Sequence, residues 1–562
     1  MKIISRRNAL IFSAALVFTM SQECFVYAGV KRLPSLPKSI GNVPLPEIDG
    51  EYTTTVAMHR TGGNGSKTLM HRGEFLVNEL DMKISEALPS DWRSDTQIHA
   101  RKIDDPQIDK RHDVHLLNFT SELYNPWANF TVGDFFADLS QYTMSQSLEG
   151  LQGAAKTDWL DLKGLAGYSQ RADEGRQFTR YVFGGKSEAL LVEDYGVVKN
   201  LEAGFNFSNV MDDRKSIENK FIGENQSIKG AVNRVGSFNY HAVLWDKTNL
   251  EGEIAKSWID EDTTAGSDVN RKTGTALRLN TMTKFSKKAK WKLNYEQVSS
   301  AFNSLSGSAV PDRGNAVTKF DYKWTKELGS AVGYKVSYDK LENSVLEKRT
   351  YTNVPTIALN YTAYDDIGFI RDLFSQLYWE MRKRMSQDDG PSQIDFQSQE
   401  VGLSNEFKIK KMNYTADWSV RKENDDLNQL NDRLINSGSL GVRFRKQIGS
   451  TEAQPSFRWQ INYEDKLNEG GRDLTQNPSF GLMLHFSKSL SLEQRHSVEI
   501  ANRSVEDTNA LKYNAFVGLN YKIPQAENVT LKVTYEHTNF AHKNADERFM
   551  ENNLQAQMIL DF

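Results

Sequence analysis

The sequence predicts an all-β fold, a transmembrane antiparallel up-and-down β-barrel of about 22 to 26 strands. Three observations predict it. Apolar and polar side chains alternate at period two through segments of about 10 to 14 residues, the mark of strands whose faces meet different solvents. Globular strands average about five or six residues, whereas these segments match the roughly 9 to 11 tilted residues that cross a bilayer. The links between them alternate short and long, as the two mouths of a membrane barrel require and a β-sandwich does not.

Composition narrows the class. The 562 residues are 39% hydrophobic, 25% charged and 11% aromatic, with a mean hydropathy of −0.58. A helical span needs about 20 consecutive apolar residues, and no such run follows the N-terminus. The formal charge of −4 excludes a strongly basic, nucleic-acid-binding surface. With 13 prolines and 60 aromatic side chains, the chain also lacks the composition of a disordered protein.

From the N-terminus, Lys2, Arg6 and Arg7 precede an apolar run over residues 9–20, and Val26-Tyr27-Ala28 suits cleavage before Gly29. Residues 1–28 are therefore expected to be a secretory signal peptide. The single cysteine, Cys24, would leave with it, so the exported chain would have no disulfide and no haem-attachment motif of its own. Residues 29–50 carry four prolines and no periodic pattern, which suits a periplasmic tether or small plug segment. Residues 51–562 are expected to form the barrel.

Four segments carry the alternation most clearly. In residues 511–523, Leu511, Tyr513, Val517, Leu519 and Tyr521 share one face while Lys512, Asn514, Asn520 and Lys522 take the other, with Phe516 as the exception. In residues 529–536, Val529, Leu531, Val533 and Tyr535 oppose Thr530, Lys532, Thr534 and Glu536. Residues 457–464 and 332–339 repeat the pattern with Phe457, Trp459 and Ile461, and with Val332, Tyr334 and Val336. Tyr and Trp recur near segment ends, where interfacial girdles form.

Short links are expected near residues 287–288, 327–328, 365–366, 410–411, 449–454, 488–491 and 524–527. Requiring them to alternate with long loops merges residues 225–245 into one strand with a bulge near Val235-Gly236. The rule yields about 26 strands, starting near residues 51 to 552. An even number puts both ends of the barrel at the periplasmic mouth.

The last residues are NLQAQMILDF, with Leu554, Ala556, Met558, Leu560 and Phe562 at every second position. This resembles the C-terminal signature of Gram-negative outer-membrane β-barrel proteins. The resemblance implies an outer-membrane location, and implies that the barrel-assembly machinery recognises this strand. Residues 133–153 break the alternation with Gly133-Asp134-Phe135 and two later glycines. That stretch looks somewhat like the Gly-Asp segment of fimbrial ushers and other large export barrels. Its plainer reading is a folded-in loop or a glycine-rich bend at a barrel corner.

No GxSxG, HExxH or Walker pattern occurs, and on a strand His112 and His115 point to opposite faces. Neither an enzyme activity nor a cofactor nor a metal is expected. The candidate lumen-lining charges are Arg443, Arg445, Arg458, Lys512 and Lys532 with Asp339 and Glu464. Arg443 and Arg445, two apart, should lie side by side. A selectivity ring and a solvated wall of paired neighbours are both open readings.

Size points to function. About 26 strands give a backbone diameter of roughly 50 Å, more than a nutrient porin needs. The expected function is a channel or sheath for a secreted polymer, a protein or a solute. A structural or assembly barrel is the alternative. A scaffold enclosing a multihaem cytochrome for transmembrane electron transfer is another, by resemblance in size to porin-cytochrome conduits. The expected partners are the bilayer lipids, the assembly machinery, and a cargo or periplasmic or cytochrome partner in the lumen.

Overall fold

The computed structural model describes residues 39–40, 43–44, 46–64, 72–105, 113–173, 176–218, 228–263, 271–340, 349–363, 366–386, 394–504 and 508–562. The expected signal peptide and most of the proline-rich segment lie outside the described residues, as does His112. Ahead of the barrel, Ser39–Ile40 pairs with Val43–Pro44 in a two-residue antiparallel ladder.

From Glu47 to Asp561 the chain forms one closed antiparallel barrel of 26 strands. Neighbours in sequence are neighbours in the wall, and the last strand, Phe549–Asp561, pairs with the first, Glu47–Gly63. Closure leaves no free edge between the first and last strands, as the absence of water in a hydrocarbon layer demands of a strand-built span. The short links, among them 88–92, 196–197, 410–411 and 486–489, share one mouth with the start of the first strand and the end of the last. The expected links near 287–288, 327–328 and 524–527 fall at 285–288, 324–327 and 523–528.

One expectation is corrected. The strand expected over 225–245 is Val232–Leu244, and it pairs with both neighbours without a register shift at Val235-Gly236. The ladder there is continuous because Ser208 and Ser257 lie directly opposite Val235 on either side. Arg443 and Arg445 do not share an unbroken strand. The strand Arg433–Phe444 stops before Arg445 and resumes as Lys446–Ile448, and both pieces pair with Thr451–Lys466. The break faces Pro455, which has no N–H to give the ladder.

Side-chain phase separates the two faces. Phe205, Phe207 and Ile254 are exposed, while Asn206, Ser208, Glu253 and Ser257 on the alternate positions are buried beneath folded-in chain. Apolar groups belong to the lipid side of such a wall, so the covered polar face is the lumen. Register then carries the assignment around the barrel. Outward beside the short-link mouth, Phe320 stacks on Tyr322 with ring centroids 6.4 Å apart, and Tyr322 meets Trp324 edge to face at 4.8 Å. His496, Tyr513, His537 and Tyr535 form a second outward row on adjacent strands, each amphipathic ring suited to a membrane interface.

The closure seam is tight. Gly50 and Phe562 exchange both backbone hydrogen bonds at 2.9 Å. A Cβ on Gly50 would stand 2.5 Å from Phe562 Cζ and 2.8 Å from the Asp81 carbonyl oxygen. Gly50→Val and Phe562→Asp should therefore each lower the yield of heat-modifiable, membrane-inserted barrel, read as band shift on unheated gels. Undiminished assembly of both variants would contradict the seam's importance. On the neighbouring strand, Val533→Arg faces lipid and should cost about 2–4 kcal/mol, and Thr534→Arg on the lumen side much less. Denaturant titration in detergent or vesicles compares the two, and equal costs would reverse the assigned faces.

Candidate functional site: a hairpin folded into the lumen

The irregular stretch flagged in the sequence is the point where the wall gives up a hairpin. Strand Ala128–Ser140 pairs with its predecessor His115–Tyr124 only from Tyr124↔Asn129 to Thr120↔Gly133. Its partner Met144–Lys156 pairs with Leu160–Gln170 only from Lys156↔Asp161 to Glu149↔Tyr168. Beyond those limits the hairpin pairs with itself alone and bends into the lumen.

Three glycines make the bend. Gly133, Gly150 and Gly167 lie in one row across adjacent strands. Gly133 has φ +107°, a conformation that side chains rarely adopt, and a Cβ there would lie 2.0 Å from the Phe119 carbonyl oxygen. A Cβ on Gly150 would lie 2.2 Å from the Ala166 carbonyl oxygen. All three occupy lumen-facing phase, the concave side of the fold, where no side chain fits. Asp134 explains the second residue of the Gly-Asp pair. Its carboxylate accepts the Phe119 N–H at 2.8 Å, where the departing strand would have supplied a carbonyl, and its own carbonyl accepts the Thr120 hydroxyl at 2.5 Å. Without these bonds the ladder would end on an unsatisfied donor inside the wall.

The hairpin docks on an apolar part of the lumen wall. Ala137, Leu139, Met144 and Leu148 from the hairpin are buried with Leu165, Val182 and Val210 from three wall strands. Burying each larger side chain is worth roughly 1.5–3 kcal/mol, which favours docking over a hairpin hanging in water. Phe136 points the other way and remains 60% exposed to the lumen.

A second segment, residues 299–312, enters from the long-loop side and clamps the hairpin tip. Ser145 N–H donates to the Ser306 carbonyl at 2.8 Å and Ser308 N–H to the Gln141 carbonyl at 3.0 Å. Phe302 and Tyr142, both fully buried, meet edge to face at 5.8 Å over Val235, Ala255, Ala276 and Val298. Gly274 lets the Phe302 backbone approach, since a Cβ there would lie 2.0 Å from Phe302 N. Asn233 ties the segment to the wall, accepting the Leu305 N–H and donating to the Asn303 carbonyl, both at 2.9 Å.

Two wall carboxylates hold the tip. Glu253, 1% exposed, accepts the Ser140 hydroxyl at 2.5 Å and stands opposite Arg278 in the ladder. Glu296 accepts the Tyr142 hydroxyl at 3.1 Å and Gln141 Nε2 at 3.0 Å. Arg278 in turn donates to the Gln141 side-chain oxygen. A buried carboxylate is tolerated only with such partners, so the latch is specific in position as well as in charge.

The lumen-lining candidates do not converge on this site or on one ring. Register places Arg443 near the short-link mouth, with Lys532, and Arg458 on the next strand, whereas Lys512, Asp339 and Glu464 fall toward the long-loop ends of theirs. Arg445 pairs with Glu452 at 3.0 Å and Glu464 with Arg433 at 2.8 Å. Phe516, the exception to the alternation, faces the lumen with Arg495 over its ring at 4.3 Å from the centroid. The assembly-strand residues Leu554, Ala556, Met558 and Leu560 lie in outward phase, opposite lumen-facing Asn553, Gln555 and Gln557. Sequence reasoning missed Tyr142, Glu253, Arg278 and the inward path of residues 299–312. Among the described residues, no group of three or more His, Cys, Asp or Glu is placed to hold a metal.

The docked hairpin can be tested covalently. The Ser140 and Ser237 hydroxyls are 3.4 Å apart, one on the hairpin and one on the wall. Since the only cysteine lies in the expected signal peptide, a Ser140→Cys/Ser237→Cys pair should oxidise during export and resist thiol labelling until reduced. Two free thiols in an otherwise assembled barrel would place the hairpin elsewhere.

No protein-family model and no curated protein matches this chain. Solved structures similar to it include the translocation pore of the P pilus usher PapC, at 10% identity and TM-score 0.35 over 92% of this chain and 99% of that one. The copper transporter OprC matches at 10% identity and TM-score 0.42, covering 92% and 81%. The siderophore receptor PirA from Pseudomonas aeruginosa matches at 8% and 0.39, covering 92% and 80%. The fold therefore rests on the closed ladder and the two-faced wall of this chain itself, which are those of a membrane-spanning β-barrel.

Proposed function

We propose that the protein is an outer-membrane conduit that carries a large hydrophilic cargo, a secreted polymer or protein chain, past a fixed internal hairpin. The observation that supports this most directly is the wetness of the lumen. A barrel of roughly 50 Å backbone diameter is far too wide for the hairpin tip and one loop to fill.

The wall suits a wetted contact surface. Its charges are largely neutralised by neighbours, as in Arg421 with Glu423 at 2.9 Å, Arg495 with Glu493 at 3.0 Å and Lys83 with Asp95 at 3.1 Å. Such pairs hold a hydrated surface in place without gripping cargo strongly. In this reading the strand ending in Phe562 is the one the assembly machinery engages, and the short-link mouth faces the periplasm.

Planar-bilayer recording tests the reading. Purified protein should give large, noisy openings, and replacing residues 134–148 by two glycines should enlarge them. Small, steady conductance in both proteins would favour a self-plugged barrel. A protein recovered in the lumen after mild detergent extraction from the native host, a multihaem cytochrome included, would replace a passing cargo by a resident partner.

A further inference from the structure

Charge at the short-link mouth is divided by side. Links 285–288, 324–327, 410–411 and 486–489 present Lys287, Lys288, Lys326, Lys410, Lys411 and Lys488, all exposed, against Glu327 in the second of these links and Asp366, held by Arg371 at 3.1 Å, between the second and third. On the other half of the same rim, links 88–92, 157–159 and 245–247 present Asp91, Asp158 and Asp246, the last beside Lys247.

The basic half continues up the lumen wall. Lys292 of Ala289–Val298 stands directly opposite Lys319 of Arg313–Lys323 on the lumen face. Like charges so opposed destabilise a ladder unless something neutralises them. Lys319 has Asp321 at 3.2 Å, while Lys292 has no carboxylate within 4.0 Å among the described residues. On the next strands Lys319, Lys335 and Arg382 surround a cleft of about 500 Å³ floored by Gly333, Val354 and Thr356. Gly333 opens the floor, since a Cβ there would lie 2.5 Å from Thr356 Oγ1. The cleft also contains Glu380, 3.8 Å from Arg382, and the hydroxyl of Thr352.

We infer that this basic track binds a linear acidic polysaccharide and leads it from the short-link mouth into the lumen. The inference rests on the conduit reading and names its cargo. Ammonium and guanidinium groups supply the counter-charge for carboxylates spaced along a chain. Glu380 and the threonine hydroxyls supply acceptors that sugar hydroxyls fill. A polyphosphate has no donor to offer Glu380 and would be repelled by it. Annular lipid touches the outer perimeter on every side, so it accounts for neither the one-sided rim nor a lumen cleft. A folded acidic protein docked at the rim does not extend along the wall to Lys335 and Arg382.

The test is block of single-channel current by defined polymers in planar bilayers. Polygalacturonate should block from one side at concentrations at least tenfold below neutral dextran of equal length, and raising salt from 0.1 to 1 M should weaken the block severalfold. K319E/K335E/R382E should raise the blocking concentration at least tenfold. K287E/K326E, confined to links and safe for folding, should slow the onset of block while leaving its release unchanged. Equal block by dextran, stronger block by inorganic polyphosphate, or block unchanged in both variants would overturn the inference while leaving the conduit intact. A wild-type barrel without open conductance would overturn the conduit reading, and this inference with it.

Discussion

The structure depends on one constraint, that no backbone N–H or C=O in the hydrocarbon layer can go without a partner. A closed ladder meets it everywhere except where the chain leaves the wall. Where the hairpin's first strand departs, Asp134 occupies the Phe119 N–H and the Asp134 carbonyl takes the Thr120 hydroxyl. The Gly-Asp pair is thus a device for ending a ladder inside a membrane barrel. Glycine turns the strand inward and the carboxylate stands in for the carbonyl that turned away.

What the hairpin lands on follows from the same logic. A lumen is ordinarily polar, yet Val182, Val210, Val235, Ala255 and Ala276 form a small-residue strip on five consecutive wall strands. Polar groups there would have been stripped of water by the hairpin and loop at a cost of about 1–3 kcal/mol each if left unpaired. Among the polar groups beneath the tip, Glu253, Asn233 and Ser257 each bond to the hairpin or the loop that covers them. Elsewhere the wall keeps its charges, because it keeps its water.

Most of the barrel was legible in sequence, because period-two alternation and link length are local properties. Strand number and the outward phase of Val533 and Leu519 follow from them. The inward segments were less legible. Gly133 and Asp134 announce a bend but not its direction, and residues 299–312 look like any long loop. A readable signal lies in strands 232–244 and 248–260, where Val235, Ala255 and Ile259 put apolar groups in lumen phase. Those exceptions mark a covered wall. The bulge expected at Val235-Gly236 came from merging residues 225–245 to keep short and long links alternating, a rule that carries no information on register, and the strand there is regular. Tyr142 and Glu296 lie 154 residues apart, so only the closed fold brings them together.

The departure of the hairpin also changes the shape of the pore. Below the glycine row all 26 strands contribute to the circumference. Above it the strands that flank the hairpin are not paired with each other: among the described residues, His115–Phe119 have no strand partner on that side, and Leu160–Gln170 is paired to the hairpin only as far as Tyr168. The wall is therefore complete toward the short-link mouth and interrupted on the long-loop side of the glycine row, where the hairpin has left it. Anything entering from the short-link mouth meets an unbroken wall first and then the flank of the hairpin beside that interruption, so the path is confined from one side by folded-in chain instead of by a ring.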